Sequence, residues 1–431
     1  MPGLRAGDTV SAQAAEAGAG SVVRFHHLVV RPDDDDPDAV IVGRPDLGEF
    51  VELPAVCGEV IRLLREGRPV ADVEAAIAAE HDVELDVADF VDSLADLAFV
   101  AEIDGRALPG PESAPVAGHF EGVTERHVRW VFSRPMKLFW VAVVAAASLT
   151  VLARPSLFPH HRDFFWSGYT GLSVLVNTAF FSLVASVHEL MHLIAARSLG
   201  APARIGFGTR LHYLVVQTDV TAIWGVPRRH RYRVYLAGMA SDVFLIATMV
   251  LAVAYLPLPG PTEALLRAFI LTTLLCLPLQ AQIYMRTDLY FVLRDLLRCK
   301  DLFGDGLRYV RYLLARAVAP LRKPGSPATD PTGDPTGDLA VHERRAVRIY
   351  AVALALGSSV TLTVFAFYGA PIIVSGLTNA LTALWAGFHG GPLLAAVDAA
   401  LLILVEGGIQ VLFVVTFVRT RRHWFRRRSR S

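Results

Sequence analysis

The distribution of apolar residues divides the chain into two parts with different periodicity. From residue 138 onward, apolar residues form runs of about 15 residues or more with few charges, and such runs can cross a bilayer as helices. We predict six crossings, and we predict that 371–388 lies at the interface or re-enters without crossing. The predicted spans are 138–152, 171–199, 234–256, 268–285, 349–368 and 393–418.

In the N-terminal part, apolar residues form shorter patterns than in the rest of the chain. Residues 1–20 lack an apolar core segment and are predicted to be a disordered start, not a signal peptide. Within 21–105, three short β-branched runs are separated by Pro-Asp-rich turns, and three amphipathic helical patterns follow. The predicted fold class is therefore an α-helical polytopic membrane protein with about six transmembrane helices and a small N-terminal α+β winged-helix-like domain. The predicted strands are 21–31, 38–44 and 48–54, and the predicted helices are 55–65, 70–80 and 87–97.

Changes in composition set the predicted domain boundaries. The prolines and basic residues of 106–137 indicate a linker, and 301–348 is predicted to be a cytoplasmic loop that includes a flexible Asp-Pro-Thr-Gly repeat at 323–338. The whole order is 1–20 start, 21–105 small domain, 106–137 linker, 138–300 membrane core, 301–348 loop, 349–418 C-terminal helices and 419–431 basic tail.

Composition and charge narrow the class of protein. The 431 residues are 53% hydrophobic, which is too apolar for an ordinary soluble protein. Net charge is zero, but 20–105 holds 21 acidic and 6 basic side chains, so this part would repel the phosphates of a nucleic acid. Basic residues between alternate spans predict a multi-pass membrane protein with both termini in the cytoplasm. The three cysteines are scattered and predict no disulfide framework.

The strongest chemical signal lies within the second span. His188-Glu189-Leu190-Met191-His192 puts two imidazoles at i and i+4, on one face of a helix, where both can bind one zinc ion. Glu189 is placed to take a proton from an activated water. The alternative is a chance match with two core histidines. Ionisable groups inside a span are costly and mark working sites, which favours the metal.

A catalytic zinc needs a third protein ligand. Asp288, at the end of the fourth span, is the predicted ligand, and Asp295 is its rival seven residues later. Polar residues in or next to the spans are candidates for substrate contact: Asn177, Asp242 and Gln282. Other polar residues are given structural roles, with the His160-His161 pair predicted at the interface and Asp398 and Glu406 predicted as polar contacts inside the bundle.

Two motifs resemble those of the site-2 protease family of intramembrane zinc metalloproteases, and most closely its bacterial branch of peptide zinc metalloproteases. They are HELMH at 188–192 and an Asp-containing motif at 286–289, with LAGMASD at 236–242 similar to the family's Ala-Gly-Pro-x-x-Asn stretch. The resemblance covers about 138–300, and it implies that Asp288 is a zinc ligand. The chain departs from the family pattern at four positions: Met239 for Pro, Asp242 for Asn, Thr287 for Leu and Leu289 for Gly.

The order of elements in 21–105 resembles a PqqD-like domain, which holds the leader peptides of ribosomally made precursors. The resemblance implies that a peptide adds as a strand near 40–52 and packs on the 87–97 helix. The alternative is an acidic regulatory or stability domain without a ligand.

The expected function is a membrane-embedded zinc metalloprotease that hydrolyses a peptide bond in a peptide or membrane-associated substrate. Two extended stretches within 203–220 are predicted to hold the substrate by strand pairing. The expected partners are a precursor peptide, membrane lipid and peptide-modification or export proteins. The alternatives are a non-catalytic membrane scaffold, an export partner and an immunity protein that binds a peptide.

Overall fold

A computed structural model of the chain describes residues 17–81, 83–108, 120, 122–211, 213–318 and 333–428. Most of the start predicted at 1–20 and most of the repeat at 323–338 therefore lie outside the described residues. The chain divides into two units. The first comprises Met1–Glu121, Ala201–Ala203 and Val220–Arg228, and the second comprises the rest of the chain.

The first unit contains three helices whose bounds lie within one residue of those predicted. Leu97 caps α3 instead of belonging to it, and the first predicted strand divides into β1 and β2. The elements are β1 Val23–Phe25, β2 Val29–Pro32, β3 Ala39–Arg44, β4 Glu49–Pro54, α1 Ala55–Arg65, α2 Val70–His81, α3 Val87–Asp96, β5 Val100–Ile103 and β6 Arg106–Ala107.

Two antiparallel three-stranded sheets enclose the core of this unit. Their strand orders are β1-β5-β6 and β2-β3-β4, with Val42 opposite Val51 in the second sheet. Apolar residues recur on one face of each helix, so α1 and α3 bury Ile61, Leu64 and Val91 in the same core as Val42. This burial is the main source of stability for a domain of this size.

A segment from between β8 and α7 also belongs to the first unit. Arg31 on β2 donates two hydrogen bonds to the Trp224 carbonyl oxygen, at 3.2 and 3.1 Å. Arg228 pairs with Asp35 at 2.6 Å. A Cβ on Gly225 would lie 3.3 Å from the Phe50 ring. The β2-β3-β4 sheet therefore packs against residues about 190 positions later in the chain.

The second unit is mostly helical and contains helices long and apolar enough to cross a membrane. Six such helical runs occur in the described residues, which agrees with the predicted number. They are Arg134–Ala153, Thr170–Arg197, Arg228–Tyr255, Gly260–Ala281, Val341–Phe388 and Leu393–Arg419. Many large apolar side chains on these runs are exposed, as is typical of lipid-facing surfaces.

The elements of this unit differ from the predicted spans mainly at their ends. The first membrane helix begins at Arg134, four residues earlier than predicted. The elements are α4 Glu125–Val128, α5 Arg134–Ala153, α6 Thr170–Arg197, β7 Arg204–Arg210, β8 Tyr213–Asp219, α7 Arg228–Tyr255, α8 Gly260–Cys276, α9 Asp288–Leu296, α10 Leu302–Val318, α11 Val341–Val364, α12 Ala370–Phe388 and α13 Leu393–Arg428.

The fifth helical run is longer than one bilayer crossing. α11 continues through a π-helical turn at Phe365–Gly369 into α12, giving 48 residues in all. At about 1.5 Å per residue the run is roughly 70 Å long, about twice the hydrocarbon thickness. α12 then packs antiparallel to α13. That 371–388 does not cross stays a prediction.

The second of the two Asp-Pro-Thr-Gly repeats forms a turn held by α11. Asp334 accepts hydrogen bonds from the Thr336 amide and hydroxyl, at 2.9 and 2.7 Å. Arg348 donates to Asp334, and Arg344 donates to the Thr336 carbonyl oxygen at 2.9 Å. Of the first repeat, only Gly333 belongs to the described residues.

Two antiparallel strands, β7 and β8, form a hairpin that packs against α6 and α13. Its register pairs Arg204 with Asp219 and Ile205 with Thr218. The two extended stretches predicted within 203–220 are thus present as strands. The hairpin lies beside the helix that carries both histidines, because β8 contacts α6 directly.

Candidate metal centre

The two histidines of the motif lie one turn apart on α6, and each is 6% exposed. Their ring centroids are 4.9 Å apart. His188, Glu189 and His192 form a group whose ligand atoms all lie within 4.8 Å of one another, as a metal site requires. The i, i+4 spacing thus gives the geometry expected of it.

Asp288 approaches both imidazoles through a single oxygen atom. Its Oδ2 lies 3.0 Å from His188 Nε2 and 3.2 Å from His192 Nε2. The structure therefore brings together the three residues predicted as ligands, across 100 positions of sequence.

The turn before α9 places Asp288. Arg286 has a left-handed backbone conformation, with φ of +57°, which reverses the chain before the helix begins. The Thr287 hydroxyl donates to the Gln280 carbonyl oxygen at 2.7 Å, and the Gln280 side-chain oxygen accepts from the Asp288 amide at 3.3 Å. Gln280 thus supports the start of α9, a role that the sequence did not indicate. Among the predicted substrate contacts, Gln282 lies in the same turn, two residues later.

Two groups on α7 each lie within hydrogen-bonding distance of one imidazole Nδ1 atom, the ring nitrogen that faces away from Asp288. His188 Nδ1 lies 2.7 Å from Asp242 Oδ2, and His192 Nδ1 lies 2.7 Å from the Val234 carbonyl oxygen. A carbonyl oxygen only accepts, so His192 Nδ1 carries the proton and donates it. The same holds for His188 if Asp242 is ionised. Asp242, predicted as a substrate contact, is thus buried, 4% exposed, and engaged with His188.

Gly238 lets α7 come this close. A Cβ at this position would lie 2.4 Å from His188 Nε2, which no side chain can occupy. Gly238 is the second small residue of the LAGMASD stretch, and glycine inside a predicted helix often marks a close approach. The sequence therefore carried a signal for this contact, although not for its partner.

The Nε2 atoms of the two imidazoles direct lone pairs toward each other and toward the Asp288 carboxylate. With Nδ1 as the donor, each neutral ring has Nε2 as an acceptor, and both face Asp288 Oδ2. His192 Nε2 is buried and has no hydrogen-bond partner among the described residues. Acceptor atoms converging in this way can hold a cation between them, and two imidazoles with a carboxylate are a donor set that suits zinc. The residues therefore fit the metal that the motif implies.

Glu189 on α6 accepts hydrogen bonds from a residue of the β7–β8 hairpin. The Thr218 hydroxyl lies 2.7 Å from Glu189 Oε2 and 2.9 Å from the Glu189 main-chain oxygen. The carboxylate is therefore tied to β8 beside the two histidines. No sequence signal pointed to Thr218, because the contact joins a strand to a helix 29 positions away.

Asp295, the rival ligand, lies in a buried charge cluster. Its carboxylate accepts from the Tyr235 hydroxyl at 3.1 Å, and Arg294 and Arg231 lie at 3.2 and 3.6 Å. The residue is 4% exposed. It joins α9 to α7, so it helps to fix the height of α9 at which Asp288 meets the histidines.

The remaining candidates lie away from this centre. Asn177 donates to the Phe164 carbonyl oxygen at 2.9 Å and is 11 residues before His188, about 16 Å along α6. His160 and His161 pack ring to ring at 4.1 Å. Burial raises the pKa of the Cys299 thiol to about 12, so this thiol is protonated near neutral pH.

Another charged residue of the membrane helices supports α6 directly. Asp398 on α13 accepts a hydrogen bond from the Leu172 amide at 3.0 Å, in the first turn of α6. Gly171 permits the approach, since a Cβ there would lie 2.2 Å from the Asp398 carbonyl oxygen. Asp398 therefore caps the helix that carries the histidines.

The chain matches no protein-family model, no curated protein and no solved structure. The chemistry of the centre therefore carries the assignment of function.

Proposed function

We propose that the protein is a membrane-embedded zinc metalloprotease, in which His188, His192 and Asp288 hold one zinc ion. The convergence of Asp288 Oδ2 on both Nε2 atoms, at 3.0 and 3.2 Å, supports this proposal most directly. Zinc supplies Lewis-acid activation of a water molecule and of a peptide carbonyl when it is bound at such a site.

Glu189 is the proton carrier in this proposal. Its carboxylate lies close to the two histidines on the same helix and has one oxygen engaged by Thr218. It takes a proton from the attacking water and later gives it to the leaving amine, which restores the ionised carboxylate.

Asp242 and the Val234 carbonyl orient the imidazoles. By accepting from Nδ1, each fixes the tautomer that leaves Nε2 free to bind a metal. Asp242 is therefore assigned to the support of His188 instead of the substrate contact that the sequence predicted.

The substrate class follows from the elements around the centre. A protease needs its peptide extended, because helical carbonyls are already hydrogen-bonded. The β7–β8 hairpin has strand edges beside α6 and can accept an extended segment by strand pairing. We assign a peptide or membrane-associated substrate on this basis.

We assign the first unit to recruitment of a ribosomally made precursor peptide. Its α+β elements follow the order of the winged-helix-like, PqqD-like pattern. Among the described residues, β4 pairs on one side only, with β3, which offers an edge for strand addition. The distribution of basic residues supports a location of both termini in the cytoplasm, and the resemblance of the two motifs to a bacterial branch of metalloproteases supports a bacterial cell membrane.

The experiment that tests the function compares wild type with Glu189→Gln. Peptide fragments are catalogued by mass spectrometry from cells that express each form, and zinc is measured in each purified protein. We expect fragments that depend on Glu189 and equal zinc in both forms. Identical fragments from the two forms, or wild type purified without zinc, would contradict the proposal.

A further inference from the structure

Among the described residues outside α6, Thr218 on β8 is the one whose side chain forms a hydrogen bond with the Glu189 carboxylate. The two residues belong to different elements, the hairpin and α6. Glutamate side chains have three rotatable bonds and lose much conformational entropy when fixed. Threonine is β-branched and stiff at χ1, so its hydroxyl is a well-placed anchor for a flexible carboxylate.

The contact selects one carboxylate oxygen. The single hydroxyl proton is shared between Glu189 Oε2 and the Glu189 main-chain oxygen, at 2.7 and 2.9 Å. This bond engages Oε2 and fixes the plane of the carboxylate. Oε1 is thereby left as the oxygen that receives a proton from water.

The register of the hairpin decides whether Thr218 reaches Glu189. Thr218 pairs with Ile205, and its side chain faces α6. A shift by one residue would turn the side chain to the other face of the strand. A Cβ on Gly208 would lie only 3.1 Å from the Gln217 side chain, so glycine at this position lets Gln217, the neighbour of Thr218, lie across β7 in this register.

We infer that Thr218 is a positioning residue for the proposed proton carrier, so that the hairpin sets the orientation of Glu189 as well as offering an edge to the substrate. This inference rests on the proposed function. It assigns to β8 a role in the rate of the chemical step, separate from substrate affinity.

The test uses Thr218→Val, which keeps the shape and removes the hydroxyl, and Thr218→Ser, which keeps the hydroxyl. Thr209→Val on β7 is the matched control for the same change within the hairpin. The full-length proteins are assayed in proteoliposomes with a quenched fluorescent peptide that carries the cleavage sequence found in the Glu189→Gln comparison. We expect Thr218→Val to lower kcat about tenfold with KM and zinc content unchanged, and Thr218→Ser to restore most of it.

Hydrogen exchange of the metal-free proteins supplies a readout that does not depend on turnover. If Thr218 acts on Glu189 alone, the β8 amides keep their protection in Thr218→Val. Loss of that protection, a rise in KM at constant kcat, or equal impairment of Thr218→Ser would overturn the inference. Full activity of Glu189→Gln would instead overturn the proposed function, whereas inactive Glu189→Gln with fully active Thr218→Val would overturn this inference alone.

Discussion

Asp242 Oδ2 and His188 Nδ1 lie 2.7 Å apart in the interior of the second unit, with Asp242 on α7 and His188 on α6. Both residues are less than 7% exposed. A carboxylate behind a histidine fixes the ring and raises its basicity, which is the usual arrangement behind a metal-binding imidazole. Asp242 is therefore placed to orient His188.

Replacement of Asp242 tests this arrangement. We expect Asp242→Ala to weaken zinc binding by about 10- to 100-fold, because His188 loses its orienting acceptor. Asp242→Asn keeps an acceptor oxygen and should bind zinc more tightly than Asp242→Ala. Zinc affinity is measured by competition with a chelator, and equal affinity in wild type and Asp242→Ala would contradict the role.

Asp288 and Asp295 form a matched pair, because both are aspartates of α9. Wild type should purify with about one zinc ion per chain. We expect Asp288→Ala to purify with much less zinc, since one of three ligands is lost. Elemental analysis of the purified protein gives this ratio. Retention of full zinc would exclude Asp288 as a ligand.

Asp295→Asn should act on stability and not on zinc. Its carboxylate forms ion pairs with Arg231 and Arg294 in a buried cluster. Loss of one buried charged partner costs about 3–5 kcal/mol, so the free energy of unfolding should fall while zinc per chain is unchanged. Zinc loss together with normal stability would make Asp295 the ligand instead.

Gly238→Ala tests the close approach of α7. The added methyl group would lie 2.4 Å from His188 Nε2, so either His188 or α7 must move. We expect loss of zinc and of activity. Gly376→Ala on α12 is the control, because a Cβ there meets nothing within 4 Å. A Gly238→Ala protein with normal zinc would show that the helices relax without disturbing the site.

The helices and the histidine pair follow from local pattern. α1 and α2 begin at their predicted residues because amphipathic period and turn residues are encoded nearby. The i, i+4 spacing of His188 and His192 is likewise local. The sequence could name Asp288 as a candidate, but it could not exclude Asp295, since the two lie seven residues apart on roughly the same face of α9.

The other contacts of the site depend on which helices and strands pack against each other in the folded protein. Thr218 is an ordinary strand threonine in sequence, and its role exists only because β8 packs on α6. The Val234 carbonyl has no side-chain identity to detect. Residues 220–228 pack on a sheet about 190 positions earlier, where no periodic pattern could indicate the partner. These contacts are tertiary, so propensity and spacing carry no information on them.

Asp398 gives a test of how α13 supports the α6 helix. Its carboxylate accepts from the Leu172 amide at 3.0 Å, where α6 has no cap from its own preceding residue. We expect Asp398→Ala to lower the free energy of unfolding by about 0.5–2 kcal/mol, the usual cost of a lost N-cap. Thermal unfolding in detergent micelles measures the effect. Asp398→Asn retains an acceptor, so its free energy of unfolding should fall less.

Glu406→Gln, eight residues later on α13, is the control for removing a charge from this helix. If Glu406→Gln and Asp398→Ala lower stability equally, the loss comes from charge on α13, and the cap of α6 contributes nothing measurable.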